Sequence, residues 1–265
     1  MKIFVIGGAG SIGSELCNQL SKKHKVIAID QDETDLYNLT NVIPEIANIR
    51  DYRRMRELFE QYRPQKVFNA AAYKHLSHYE RENFSELIET NVNGMINILR
   101  LVKEFKVKKF IFISTDKAVE PVSLMGATKL LGEIMTKRCG YIAVRFGNVM
   151  GSRGSVMEIW QKQMEKGEPI TITDIRMERY FMSIPEACER VIKASEMGID
   201  KAIFVPHMGS PIKIMDLVEK LRDYSKKDLK IKIIGKKENE RLTEKLLTEE
   251  EKQVAIKKNN FWIIV

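Results

Sequence analysis

The stretch KIFVIGGAGSIGSEL, residues 2–16, decides the fold. Its first part is a short apolar run of the kind that forms a buried strand. It passes into Gly7-Gly8-Ala9-Gly10-Ser11-Ile12-Gly13, after which a helical pattern opens. The run satisfies G-x-x-G-x-x-G and, from Gly8, G-x-G-x-x-G. Small residues there let the backbone approach a pyrophosphate, which Ser11, Ile12 and the helix N-terminus meet with N–H groups and a positive dipole end.

Asp30 closes a second apolar run, 20 residues after Gly10. A carboxylate in that place accepts hydrogen bonds from ribose hydroxyls and repels a 2′-phosphate. Gln31 adds no compensating cation, so the expected cofactor is NAD and not NADP. Asn69-Ala70-Ala71-Ala72 ends a later strand in small side chains, which suits a backbone lying close to the cofactor.

Outward from the opening turn, strand patterns fall at 2–7, 25–30, 66–71, 109–114 and 141–146, with a weaker one at 45–49. Helical spacing marks 13–23, 52–63 and 90–105. Strands alternating with helices predict an α/β fold, a doubly wound parallel sheet of the Rossmann type. Residues 1–150 are read as the dinucleotide-binding domain, completed by about 183–206. Residues 151–265 form mainly a smaller α+β substrate-binding lobe over the strands' carboxyl ends, with helices at 155–166, 184–197 and 213–224 and strands at 201–206, 229–235 and 261–265.

Composition narrows the class further. Of 265 residues, 44% are hydrophobic and only 7 are proline, as in a folded globular chain. The net charge of +8 is spread among alternating lysines and acids without an aromatic-bearing nucleic-acid motif. Cys17, Cys139 and Cys188 match no metal or redox spacing and suit a reducing cytoplasm. His75 and His78 lack the carboxylates or cysteines that would complete a metal site, so no metal is expected. No apolar run reaches the ~20 residues of a membrane span.

A second stretch, FIFISTDKAVEPVSLMGATK at 110–129, carries the chemistry. One large class of dinucleotide enzymes uses Tyr-x-x-x-Lys, the tyrosine moving a proton. Here Met125 precedes Lys129 at that spacing, and a thioether transfers no proton.

Together with DETDLYNL, NAAAYKHL, TNVNG, RFGNVMGSRGSV, ITITDIRMERYFMSIPEA and VPHMGSPIKIMDL, these segments resemble the CapD-like polysaccharide biosynthesis family of UDP-N-acetylglucosamine 4,6-dehydratases, among the extended short-chain dehydrogenases/reductases. The resemblance spans nearly the whole chain. It implies oxidation of the hexose carbon 4 with NAD, elimination of water across carbons 5 and 6, and return of the hydride to carbon 6. Asp116 would be the general acid at the carbon-6 oxygen and Lys117 the base at carbon 5, so the chemistry needs a protonated Asp116 and a neutral Lys117. Thr115 would bind the carbon-4 hydroxyl, and Lys129 the nicotinamide ribose. Methionine commonly fills the tyrosine slot in this branch, which would send the carbon-4 proton to Asp116, directly or through Thr115 and water. Neighbours in a strand face opposite ways, so the strand must end near Ser114 or Thr115 for both groups to reach the sugar.

The resemblance also places Asn48 and Ile49 beside the adenine, and Lys74, His75 and Asn91 near the sugar, Asn91 with a strong structural share. Asn148, Arg153, Ser155 and Arg179 are expected at UDP. Departures are Asn48, where the family usually has aspartate, and Lys237 and Asn239, where it has arginine and glycine. The competing readings are a nucleotide-sugar epimerase and a non-catalytic NAD-binding regulator. Exposed helices in such folds commonly pair, so a homo-oligomer is expected.

Overall fold

The computed structural model describes residues 1–74, 83–225, 229–236 and 238–265. Strands β1 (Lys2–Ile6), β2 (Lys25–Asp30), β3 (Ile43–Ile46), β4 (Lys66–Asn69), β5 (Lys109–Thr115) and β6 (Ile142–Phe146) come from the first half. The shorter β7 (Asn148–Met150), β8 (Ile170–Ile172), β9 (Glu178–Arg179) and β10 (Phe181–Ser183) follow. The last strands are β11 (Ile203–Pro206), β12 (Ile212–Lys213), β13 (Ile231–Ile233), β14 (Ile256–Lys258) and β15 (Phe261–Ile264). The early helices are α1 (Ser11–Ser21), α2 (Glu33–Tyr37), α3 (Tyr52–Tyr62), α4 (Phe84–Ile88) and α5 (Met95–Glu104). The later ones are α6 (Leu124–Arg138), α7 (Val156–Glu165), α8 (Ile184–Glu196), α9 (Ile214–Ser225) and α10 (Glu249–Val254).

Among the described residues nine strands form one sheet, in the order β14-β15-β11-β6-β5-β4-β1-β2-β3. The pairs from β3 to β11 are parallel. β1 lies between β2 and β4, so the chain winds one way and then the other. The crevice at that switch point, outside the strands' carboxyl ends, is where ligands of such sheets bind.

Alternation along each strand explains why both faces are covered. Ile3 and Val5 pack on one side with Leu16, Cys17 and Leu20 of α1 and Cys188 and Val191 of α8. Phe4 and Ile6 pack on the other with Met55, Leu58 and Phe59 of α3 and Ile98 and Val102 of α5. Cys17 and Cys188 serve as small apolar side chains there, and burial pushes the Cys17 thiol up to about 12. A separate cluster of Trp160, Ile170, Ile172, Met177 and Val218 forms the core of the smaller lobe. The Trp160 indole N–H donates to the Thr171 carbonyl at 2.9 Å.

The structure corrects two expectations. The C-terminal strand, assigned to the lobe, joins the main sheet: β15 runs antiparallel to β11, with Ile203 opposite Ile264. Its buried Phe261 and Ile263 complete the core beside Phe204 and Val144. The weak strand expected at 45–49 lies earlier, as β3, and residues 47–49 leave the sheet to line the crevice. No described helix is long and apolar enough to cross a membrane.

Candidate active site

At the switch point the glycine turn is held by contacts that only glycine permits. Gly7 has φ 77°, and a Cβ on it would stand 2.5 Å from the Ala71 nitrogen. A Cβ on Gly13 would lie 1.9 Å from the Gly7 carbonyl oxygen, so helix and turn pack backbone to backbone. A Cβ on Gly10 would meet only that oxygen, at 3.4 Å, because the crevice opens on its other side. α1 has no side-chain N-cap, which leaves the N–H groups of its first turn, beginning at Ser11 and Ile12, for an anion.

Asp30 is fixed at the rim. Its Oδ2 accepts from the Ala9 N–H at 3.0 Å and its Oδ1 from the Gln31 N–H at 2.8 Å. Asn48 donates from Nδ2 to Gln31 Oε1 at 2.7 Å and accepts the Arg50 N–H on Oδ1 at 2.9 Å. Ile49, Ala70, Ala71 and Ala72 line the same crevice. A small-residue floor, free helix N–H groups and a rim carboxylate are the donor and acceptor set that a dinucleotide requires, and the site fits one.

The stretch expected to carry the chemistry lies beside this crevice, at the end of β5. The strand stops at Thr115, and Asp116 to Ala118 form a 3₁₀ turn, which breaks the strand's alternation. Asp116 and Lys117 therefore turn to one place. Lys117 Nζ donates to Asp116 Oδ1 at 2.9 Å and to Asn148 Oδ1 at 3.1 Å. The Thr115 hydroxyl donates to the same Asp116 oxygen at 3.0 Å. Asp116 is fully buried, and its Oδ2 has no hydrogen-bond partner among the described residues. A buried oxygen in that state carries a desolvation cost that a hydrogen bond from a substrate hydroxyl would relieve.

Lys129 lies one helical turn beyond the buried Met125 on α6. Its Nζ donates to the Ile113 carbonyl at 2.9 Å and stands over the Phe112 ring, 4.8 Å from the centroid. Burial pushes its ammonium down to about 8, against the opposing pull of Glu133.

Among the expected sugar and UDP residues that are described, Asn148 joins the Asp116–Lys117 pair and the others are engaged elsewhere. Asn91, in a π-helical segment Glu89–Gly94, clamps the Tyr73 backbone from both sides, accepting its N–H at 2.8 Å and donating to its carbonyl at 3.0 Å. It also donates to Thr128 of α6 at 3.1 Å. Ser155 is the N-cap of α7. The Arg153 guanidinium pairs with Asp35 on α2, and Lys74 Nζ donates to the Arg153 carbonyl at 2.8 Å. Arg179 is buried and bonds carbonyls instead of an acid, reaching those of Glu178 and Leu242 at 2.8 Å and of Arg241 at 2.9 Å. His75, His78 and Lys237 lie outside the described residues.

Glu244 is the residue that motif reading missed. It is buried beside the catalytic pair, and burial pushes its carboxyl up, with Lys117, Asp116, Arg179 and Arg241 in its field. The segment carrying it docks on the catalytic turn, since Arg241 donates to the Val119 carbonyl at 3.1 Å. No local spacing announces this contact, because the partners are more than a hundred residues apart.

The sequence matches the family described as polysaccharide biosynthesis protein over residues 3–265. It is 39% identical over 272 residues to the capsular polysaccharide biosynthesis protein CapD of Staphylococcus aureus, covering 94% of this chain and 45% of that protein. The chain thus spans about half the length of that relative. It is 32% identical to a UDP-N-acetylglucosamine 4,6-dehydratase (inverting) of Campylobacter jejuni, covering 99% of this chain and 82% of that one. The structure of a UDP-glucose 4-epimerase of Thermotoga maritima with UDP-glucose superposes with a TM-score of 0.83 at 25% identity, covering 96% of this chain and 92% of that one. The chain belongs to the CapD-like polysaccharide biosynthesis family, on an extended short-chain dehydrogenase/reductase fold.

Proposed function

We propose that the protein is an NAD-dependent 4,6-dehydratase of a nucleotide sugar, with UDP-N-acetylglucosamine as substrate. The observation that carries this reading is the Asp116–Lys117 pair, an acid and a base 2.9 Å apart beside a dinucleotide crevice. The named activity of the Campylobacter jejuni relative supports it.

NAD, when bound, supplies the oxidation of carbon 4 and the return of that hydride to carbon 6. The chain's own residues then have distinct tasks. Thr115 takes the carbon-4 hydroxyl proton and passes it along its 3.0 Å bond to Asp116. A proton on Asp116 removes the counter-charge of Lys117, which then releases its own proton to solvent and becomes a base. Lys117 takes the carbon-5 proton, Asp116 protonates the leaving carbon-6 hydroxyl so that water departs, and Lys117 returns a proton to carbon 5 when carbon 6 is reduced. Asn148 holds the lysine in place from its other side. Lys129 supplies a cation near the reacting carbon, and Met125 fills the tyrosine slot without a proton role.

Incubation with UDP-N-acetylglucosamine alone tests this. The product should be lighter by one water without net reduction of NAD, and in heavy water one deuterium should enter at carbon 5. The likeness to a UDP-glucose 4-epimerase favours one second reading, epimerisation at carbon 4. An unchanged mass with altered ring stereochemistry would establish that reading, and no turnover of any nucleotide sugar would leave only a dinucleotide-binding protein.

A further inference from the structure

The glycine turn, the chain after β2 and the chain after β4 are three of the segments that line the dinucleotide crevice. The loop at 151–155 comes from beyond the sheet's last early strand, yet it touches all three. The Arg153 N–H donates to Ser11 Oγ at 3.0 Å, at the first residue of α1. The Arg153 guanidinium pairs with the Asp35 carboxylate on α2. Lys74, two residues past Ala72, donates to the Arg153 carbonyl at 2.8 Å. The loop is shaped for this path by Gly151 and Gly154, at φ 74° and 66°, values that side chains rarely adopt.

We propose that Asp35 is a positioning residue that clasps the 151–155 loop across the crevice, so that a bound dinucleotide leaves slowly. The inference rests on the NAD reading above. A dehydration that returns its hydride needs no exchange of cofactor, and a cover over the pyrophosphate end of the site serves that cycle. Arg153 is thereby assigned to retention of the cofactor through Asp35, and not to direct contact with UDP. Asp35 itself is held by Asp32, whose Oδ1 accepts its N–H at 3.0 Å.

The size of the effect follows from exposure. The Arg153 side chain is 58% exposed and that of Asp35 26%, so the pair is a surface ion pair of modest strength. Removing it should speed release about two- to fivefold.

The test is release of NAD from the loaded protein, followed after mixing with excess ADP-ribose. Asp35→Asn should release faster by that factor at low salt, and Arg153→Gln should do the same from the other side of the pair. Asp35→Glu, which keeps the charge, should stay near the unmodified rate. In about 1 M salt the unmodified protein should speed up until the difference closes, because exposed charges are then screened. An unchanged rate in folded Asp35→Asn overturns the clasp, as does Asp35→Glu releasing as fast as Asp35→Asn. If the unmodified protein binds no NAD, the cofactor reading fails and the clasp fails with it.

Discussion

Asp116 shares one carboxylate oxygen with Lys117 Nζ, 2.9 Å away, and keeps the other buried without a partner among the described residues. Its position against Gly147 is tight, since a Cβ there would stand 3.2 Å from Asp116 Oδ2.

The first prediction follows from that pair. Asp116→Asn should keep the shape and lose the proton, lowering turnover by ~10²–10⁴. Met125→Leu roughly conserves volume in a buried site and should cost under ~1.5 kcal/mol in stability while keeping most activity. The measurement is turnover of folded variants at saturating substrate. Loss of activity in Met125→Leu with retention in Asp116→Asn would contradict the proton route.

The second prediction separates two glycines of one motif. Gly13→Ala places a methyl 1.9 Å from the Gly7 carbonyl oxygen and should destabilise the NAD-free protein by at least ~1–3 kcal/mol. Gly10→Ala meets protein only at 3.4 Å, so its melting temperature should hold while NAD affinity falls by about tenfold or more. Thermal melting and an NAD titration read both. Normal NAD binding by Gly10→Ala would remove the pyrophosphate from this turn.

These contrasts show what a sequence makes legible. The glycine turn, Asp30 and the strands around them are readable because backbone geometry and alternation are local properties. The end of β5 at Thr115 becomes readable once the resemblance asks both Asp116 and Lys117 to reach one sugar, since neighbours cannot share a strand face. The Asp35–Arg153 pair and the burial of Glu244 are not, because they depend on how a late segment folds back on an early one. The terminal strand misled for a related reason: an apolar run states that it is buried, and not which sheet it joins.

A third prediction concerns a buried charge cluster behind the catalytic strand. Arg145 donates to both Glu133 oxygens, at 2.9 and 2.7 Å, and to Glu251 of α10, while Ser114 donates to Glu133 at 2.6 Å. Arg145 and Glu133 are 1% and 0% exposed. Arg145→Met leaves a buried carboxylate uncompensated and should cost ~3–5 kcal/mol in urea unfolding. Replacing both Arg145 and Glu133 by methionine should cost less than the single change, because the stranded charge goes too. Equal or greater loss in the double variant would show that the cluster contributes net stability as a unit.

The last prediction uses the pH dependence of Lys129. Its ordinary value is 10.5, and burial brings it to about 8 in the folded protein, so the folded state disfavours the ammonium. Below pH 8 the group is charged in both states, and the full cost of burying it is present. Between pH 8 and 10.5 the unfolded chain holds the proton that the folded chain has released, so this group's contribution to stability rises with pH. At about 1.4 kcal/mol per unit, the span amounts to at most roughly 3.5 kcal/mol. Lys129→Met removes the charge and also the bond to the Ile113 carbonyl, which offsets part of the gain. The NAD-free variant should therefore be more stable than the unmodified protein at pH 7, and the advantage should shrink steadily from pH 8 toward pH 10.5. Parallel denaturant titrations across that range give the difference curve. A difference that stays flat, or grows with pH, would mean that the Lys129 ammonium is stabilised where it lies, and that its role near the reacting carbon does not draw on a strained charge.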